Sequence, residues 1–344
     1  MSTPTIPAGN LYMNATLYTG TGSSQTINNG VAGQSFAPDM VWIKNRSGVW
    51  NHVLVDTIRG GTNPVNPNTS DAQNTDNVIT AFNSNGFTVG VSGNSNNSGN
   101  NFVGWNWKAG GTAVSNTAGS ITSQVSANTT SGFSVVTYTG NGSTNQTVGH
   151  GLGVAPSMII IKNRSTSIDW IVYHASIGAT GFLYLDLTTG TTTSSNPFNN
   201  TAPTSSVFTI AGNSSNSYVN GNGNSMVAYC WAPIAGYSAF GSYTGNGSTD
   251  GPFIYCGFRP RFIIFKRADG ASNWLLLDSS RSPYNLVNQD LFADSAIAES
   301  TGGGIDFLSN GFKWRGTDTP GNGTTGTYIY AAFAENPFKY ANAR

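Results

Sequence analysis

The side chains that could do acid–base or metal chemistry are few and widely separated in this sequence. His52, His150 and His174 lack the spacing of metal ligands. Glycoside hydrolysis needs two carboxylates about 5 to 10 Å apart, but the first glutamate is Glu299 and residues 132–236 contain only two acidic side chains. No Gly-x-Ser-x-Gly motif is present. The sequence predicts a non-enzymatic protein without catalytic, metal-binding or cofactor-binding residues.

Three lysines and one tryptophan are the candidates for ligand contact. Lys44, Lys162 and Lys266 follow equivalent apolar runs, so they could line one face and bind anionic glycans. The alternative is that they are solvated residues at strand ends. Trp42 and Trp314 have no tryptophan at the equivalent places elsewhere in the chain. We expect Trp314 to be a surface contact, whereas Trp42 lies in an apolar run and is expected in the core.

Other recurring polar and aromatic residues favour structural roles. Asp56 precedes Arg59, and Asp278 precedes Arg281, with the same spacing. Each pair could bind sugar hydroxyls, but it ordinarily pins a turn through charge-assisted hydrogen bonds. His174 stands at this place in the middle of the chain, so a common site chemistry is absent.

Three tryptophans recur at one position. They are Trp50, Trp170 and Trp274. A platform for stacking sugars is one interpretation, but a core anchor that buries about 200 Å² is favoured.

These residues belong to a pattern that occurs three times along the chain. Its centre is residues 37–46 (APDMVWIKNR), which return as 155–164 (APSMIIIKNR) and 259–267 (RPRFIIFKR). A proline, four apolar residues and a charged tail indicate a buried strand that ends in a polar turn. A Tyr-Thr-Gly turn precedes each copy, and an aromatic strand closes it. A repeat of this length indicates tandem domains rather than a solenoid.

The fold class predicted is all-β, with three tandem antiparallel β-sandwiches, jelly-roll-like or immunoglobulin-like in topology. The expected organisation is a short arm (1–10), repeat 1 (11–111), a linker or edge strand (112–131), repeat 2 (132–236) and repeat 3 (237–344). Because no linker separates repeats 2 and 3, we expect them to pack as a unit.

Composition limits the classes of partner. Charged residues make up only 9% of the 344 residues, and 15 basic side chains balance 15 acidic ones, so a basic face for nucleic acid is not expected. No segment predicts a membrane span or a secretory signal. Cys230 and Cys256 are expected to be buried thiols, with a disulfide bridge as the alternative.

The whole chain resembles a family of repeated β-domains in structural proteins of tailed phages, many of them marine. The motifs that carry the resemblance are residues 38–46 (PDMVWIKNR), 56–60 (DTIRG), 105–111 (WNWKAGG), 149–153 (GHGLG) and 334–344 (AENPFKYANAR). The resemblance implies a virion component, often of the tail-fibre-like kind, and no catalytic residues.

Three functional hypotheses follow. The leading one is a virion protein, assembled in the host cytoplasm, that acts in a tail fibre or tip and contacts other virion proteins, a host surface glycan and further copies of itself. The second is a capsid decoration or head-spike protein that stabilises the shell, which the early start of the first repeat favours. A polysaccharide-degrading enzyme is the least favoured.

Overall fold

The computed structural model describes residues 9–31, 33–210 and 217–335. The predicted arm (1–10) lies almost wholly outside these residues, as does most of the C-terminal motif. The described chain is built of antiparallel strands, with one short 3-10 helix (Gly9–Leu11) and two four-residue helices, α1 (Gly93–Asn96) and α2 (Thr319–Asn322). The predicted all-β sandwich class is confirmed. None of the helices in the described ranges is long and apolar enough to cross a membrane.

The strands fall into three successive groups, which we call units 1, 2 and 3. Unit 1 contains β1 (Met13–Thr19), β2 (Gln25–Asn28), β3 (Met40–Asn45), β4 (Val53–Asp56), β5 (Ile79–Asn83), β6 (Gly86–Val89) and β7 (Asn101–Trp107). β8 (Val114–Asn116) and β9 (Ser123–Asn128) come next. Unit 2 contains β10 (Phe133–Thr139), β11 (Gln146–Gly149), β12 (Met158–Asn163), β13 (Ile171–His174), β14 (Gly181–Tyr184), β15 (Thr192–Thr193), β16 (Val207–Ile210) and β17 (Ser225–Trp231). Unit 3 contains β18 (Ser238–Thr244), β19 (Phe253–Tyr255), β20 (Pro260–Arg267), β21 (Leu275–Asp278), β22 (Val287–Phe292), β23 (Ser300–Leu308), β24 (Gly311–Trp314) and β25 (Thr327–Ala334).

The main sheets of the three units have the same strand order. It is β1-β7-β3-β4 in unit 1, β10-β17-β12-β13 within the larger sheet of unit 2, and β18-β25-β20-β21 within that of unit 3. The interior strands β3, β12 and β20 are the three copies of the repeated apolar run, and each pairs with the closing aromatic strand of its unit. A smaller layer contains β2-β6-β5 in unit 1 and β11-β16 in unit 2.

The main sheets are covered on both faces, which explains why their central strands are apolar without alternation. In β3, Val41 and Ile43 pack with Phe87 of the smaller layer of unit 1. Met40 and Trp42 point the other way, into a core that all three units share. Unit 1 is therefore a sandwich, and the main-sheet face that points away from its smaller layer is buried in the shared core.

The shared core is dominated by aromatic rings from the ends of the closing strands. The Trp107 ring lies 6.2 Å from that of Trp231 and 5.7 Å from that of Phe333, so one ring from each unit meets there. A cavity of about 20 Å³ remains, lined by apolar side chains. It has room for about one water and offers it no polar partners, so we expect it to be dry.

Two expectations on organisation are refined. Residues 112–131 form β8 and β9, which extend the main sheet of unit 2 through β10, so the edge-strand alternative describes this segment. Units 2 and 3 pack together as expected. Unit 1 contributes to the same core, so all three units pack as one body rather than units 2 and 3 alone. The proposed boundaries of the repeats stay predictions.

Candidate functional site

The three candidate lysines are fully buried, so they do not contact ligands at the surface. Lys44, Lys162 and Lys266 have 0% of their surface exposed, and Trp314 has 2%. The prediction of surface contact is corrected for all four residues, and so is the alternative of solvated strand ends. The reason is that the main-sheet faces on which the lysines lie are covered by neighbouring units.

Each lysine joins two units through main-chain carbonyls. Its Nζ donates to a carbonyl of its own unit, at the end of its strand or just after it, and to a loop carbonyl of another unit. The acceptors in the other unit are Ala296 O at 3.1 Å for Lys44, Ser70 O at 2.8 Å for Lys162, and Thr188 O at 2.7 Å for Lys266. Unit 1 thus binds unit 3, unit 2 binds unit 1, and unit 3 binds unit 2. The three contacts close a ring, which we call the lysine ring.

Burial makes the charged form of these lysines less favourable. Desolvation lowers the pKa of each to about 8, which still leaves the groups mainly protonated at pH 7. Lys162 and Lys266 also lie 5.8 and 5.9 Å from the ring centroids of Trp170 and Trp274, where an indole face attracts a cation.

The two Asp-x-x-Arg pairs pin turns as predicted, and they also bind the next unit. The carboxylate of Asp56 accepts from Arg59 Nε at 2.6 Å with both side chains buried, and Asp278 does the same with Arg281. Beyond the turn, Tyr229 of unit 2 donates to Asp56 at 2.8 Å. The carboxylate of Asp278 in unit 3 makes the equivalent contact with unit 1.

The contact of Asp278 with unit 1 shows why unit 2 has His174 instead of an aspartate at the equivalent position. Asp278 accepts from Trp105 Nε1 of unit 1 at 3.0 Å. The position in unit 3 that corresponds to Trp105 is Ala331, which has no side-chain donor. His174 stands opposite, and its Nε2 is 3.2 Å from the main-chain oxygen of Tyr330. Burial lowers the pKa of His174 to about 4, so the ring is neutral at pH 7.

The recurring tryptophans are core anchors in two of the three cases. Trp170 and Trp274 are buried. Their Nε1 atoms donate to main-chain carbonyls of the same neighbouring units that Lys162 and Lys266 contact, at 3.0 Å to Asn66 O and 2.7 Å to Tyr184 O. Trp50 was also predicted to be a core anchor, but its side chain is only half-buried.

The remaining titratable groups of the described ranges form no cluster that would suit a metal ion. No group of three or more potential metal ligands occurs within residues 9–31, 33–210 and 217–335. His52 accepts from Trp42 Nε1 at 2.9 Å in the core, as expected for a buried tryptophan. Cys230 and Cys256 are free thiols, the first buried and the second partly so, and the disulfide alternative is therefore excluded by the structure.

The tyrosine–glycine turns are held by three buried asparagines that the sequence analysis missed. Asn96, Asn220 and Asn322 have no exposed surface, and each amide accepts from and donates to the turn of its own unit. The glycine after Thr19 is required, because a Cβ on Gly20 would lie 2.3 Å from a main-chain oxygen. These three asparagines could not be distinguished in the sequence, because asparagine is abundant throughout the chain.

An open groove lies between unit 1 and strand β9. It has a volume of about 540 Å³, and its lining includes Asp39, Ile58, Phe82 and Gln124. Asp39 is 5% exposed. One carboxylate oxygen accepts from Thr57 Oγ1 at 3.1 Å and the other from a main-chain N–H at 2.8 Å. Burial raises the pKa of this carboxyl group.

A second surface feature lies on unit 3. β19 is the last strand of its sheet, and Phe253 and Tyr255 on it are 45% and 63% exposed. Tyr284 is 84% exposed. These side chains are available to solvent.

The family comparison matches nearly the whole chain. The model of the family described as "Domain of unknown function (DUF7483)" matches residues 8–337 in one stretch. The chain belongs to this family. No curated protein matches it.

The DUF7483 match includes every element of the lysine ring and of the groove. It therefore runs over all three units, from the first described strand to the last. The residues of the ring therefore lie inside the matched region.

Proposed function

We propose that this DUF7483 chain is a non-enzymatic structural component of a tailed-phage virion, placed in a tail fibre or tip that contacts the host surface. The observation that carries the proposal is the lysine ring. In the ring, buried lysines bind main-chain carbonyls of neighbouring units. Outside the ring, buried Asp–Arg pairs bind turns and neighbouring units in the same way. Such an arrangement supports a rigid body. The resemblance to phage structural proteins supports the place of that body in a particle.

The low charge of the surface is consistent with this role. A body with few charges offers little long-range steering, and neutral hydrogen bonds contribute only about 0.5 to 1.5 kcal/mol each. Binding of one copy to a host surface is therefore expected to be weak. Many copies on a particle raise the overall avidity by about 10² to 10⁴, which suits a fibre or tip.

Gold-labelled antibodies against the purified chain, applied to particles of the phage that encodes it, test the proposal. Label on the tail is the expected result. Label on the shell, together with loss of genome on heating when the protein is missing, replaces the proposal with the capsid-decoration hypothesis. Particles without the chain would refute a virion role altogether. Reducing-end release from host polysaccharide, abolished by a single carboxylate substitution, would refute the non-enzymatic part.

A further inference from the structure

The groove beside unit 1 combines features that are found together at ligand sites. We call it the Asp39 groove, and its lining includes Asp39, Thr57, Ile58, Phe82 and Gln124. Its volume of about 540 Å³ lies in the range of about 300 to 1,000 Å³ that is common for small-molecule pockets. Phe82, Ile58 and Thr57 are half-buried and Gln124 is exposed, so both apolar and polar groups face the open space.

The carboxylate of Asp39 retains capacity to accept further hydrogen bonds. An ionised carboxylate has about four lone-pair sites. Thr57 Oγ1 donates to one oxygen and Ala109 N to the other, and Gly111 N also contributes. At least one site is left for a donor in the groove. Its two oxygens are held in place by these bonds, so the acceptor is positioned before any ligand arrives.

The groove chemistry is specific to unit 1. The residue that corresponds to Asp39 is Ser157 in unit 2 and Arg261 in unit 3. Arg261 does not face open space, because its guanidinium donates to Asn14 Oδ1 at 2.8 and 2.9 Å and lies 3.4 Å from Glu335. Of the three corresponding side chains, only Asp39 is a carboxylate beside an open groove.

We propose that the Asp39 groove binds a neutral saccharide of one or two rings. The half-buried ring of Phe82, with Ile58, offers an apolar face for the C–H face of a sugar. Asp39 accepts from a sugar hydroxyl, and the amide of Gln124 both donates and accepts. An anionic sugar is disfavoured, because its charge would lie beside the Asp39 carboxylate; burial has the largest influence on the pKa of that carboxyl group, and the cation that acts on it, Lys108, has the smallest. The biological source of the saccharide, a host surface glycan, rests on the proposed function; the binding itself does not.

Titration of the purified full-length chain with neutral sugars, followed by ligand-observed NMR, tests the inference. The probes are glucose, galactose, mannose, N-acetylglucosamine and their common disaccharides, with sialic acid as the anionic probe. We expect saturable binding of at least one neutral probe and none of sialic acid. Absence of binding across the whole neutral panel overturns the proposal, and so does preferential binding of sialic acid.

Variants locate the site. Gln124→Ala changes an exposed side chain and leaves the core intact, and Phe82→Ala removes the apolar face. Each is expected to raise the Kd at least tenfold. Phe253→Ala is the matched control, because Phe253 is an exposed phenylalanine on unit 3. Binding that survives both groove variants, or that Phe253→Ala abolishes, refutes the groove as the site.

The outcome separates this inference from the proposed function. Saccharide binding in the groove without label on particles leaves the site standing and refutes the virion role. Label on the tail without saccharide binding refutes the groove alone.

Discussion

The buried lysines make an unusual prediction about pH: the chain should become more stable between pH 8 and pH 10. The pKa of each ring lysine is lowered from 10.5 to about 8 in the folded chain. Between these values the unfolded chain binds more protons than the folded chain. The free energy of unfolding then rises with pH. Two kinds of group oppose this rise and close the window near pH 10. The buried thiols and the buried tyrosines have raised pKa values, so their contribution to stability is lost above the ordinary pKa of cysteine and of tyrosine.

The magnitude follows from the size of the pKa shift. One pKa unit corresponds to about 1.36 kcal/mol, so one lysine shifted from 10.5 to about 8 adds about 2.5 kcal/mol between pH 7 and pH 10. In Lys162→Met this rise should be smaller by about the same amount. At pH 7 the variant loses the donor to two carbonyls and also loses the desolvation penalty of the charged lysine. These two effects oppose each other, so the clear difference from the wild type is expected above pH 8.

Urea unfolding followed by tryptophan fluorescence at pH 7, 8, 9 and 10 measures both effects. Lys108→Met is the control, because Lys108 is partly exposed and lies outside the lysine ring. A wild-type stability that stays flat or falls between pH 8 and pH 10 would show that burial does not disfavour the charged lysines. A variant that keeps the full rise would show that Lys162 is not responsible.

Three further predictions concern the core and the thiols. Trp170→Ala should lower the free energy of unfolding by about 3 to 5 kcal/mol through cavity formation, and the half-buried Trp50→Ala by clearly less; equal losses in urea unfolding would contradict the difference in burial. Tyr229→Phe should cost about 1 to 3 kcal/mol, because it removes the hydroxyl bonded to the buried ion pair of unit 1, and an unchanged melting temperature would refute that contact. Burial raises the pKa of Cys230 and raises that of Cys256 to about 12, so a thiol reagent at pH 8 should label both only in urea; rapid labelling of native Cys230 would contradict its burial.

The strands were predictable because their signals are local. A proline followed by four apolar residues indicates a buried strand, and the three runs became β3, β12 and β20. That the sheet around them is covered on both faces was not predicted, because the covering side chains come from other units. The turn role of the Asp–Arg pairs was equally local, since it depends on side chains three residues apart.

The lysine ring was not predictable because its partners lie far away along the chain. Lys44 and the carbonyl of Ala296 are 252 positions apart, and nothing near Lys44 shows that its strand end is covered. Lysine is also rarely buried without a carboxylate partner. Asp39 escaped notice for a similar reason, since its groove needs β9 from beyond the first unit.

The closure of the lysine ring has a consequence for what one chain can display. Three identical subunits around an axis would present every surface feature three times. Here the three positions are joined covalently and differ in sequence, so each can change without the other two. The groove occurs at one position, and the exposed aromatic side chains of β19 occur at another. A single gene thereby combines the mutual support of a trimer with three independently variable faces.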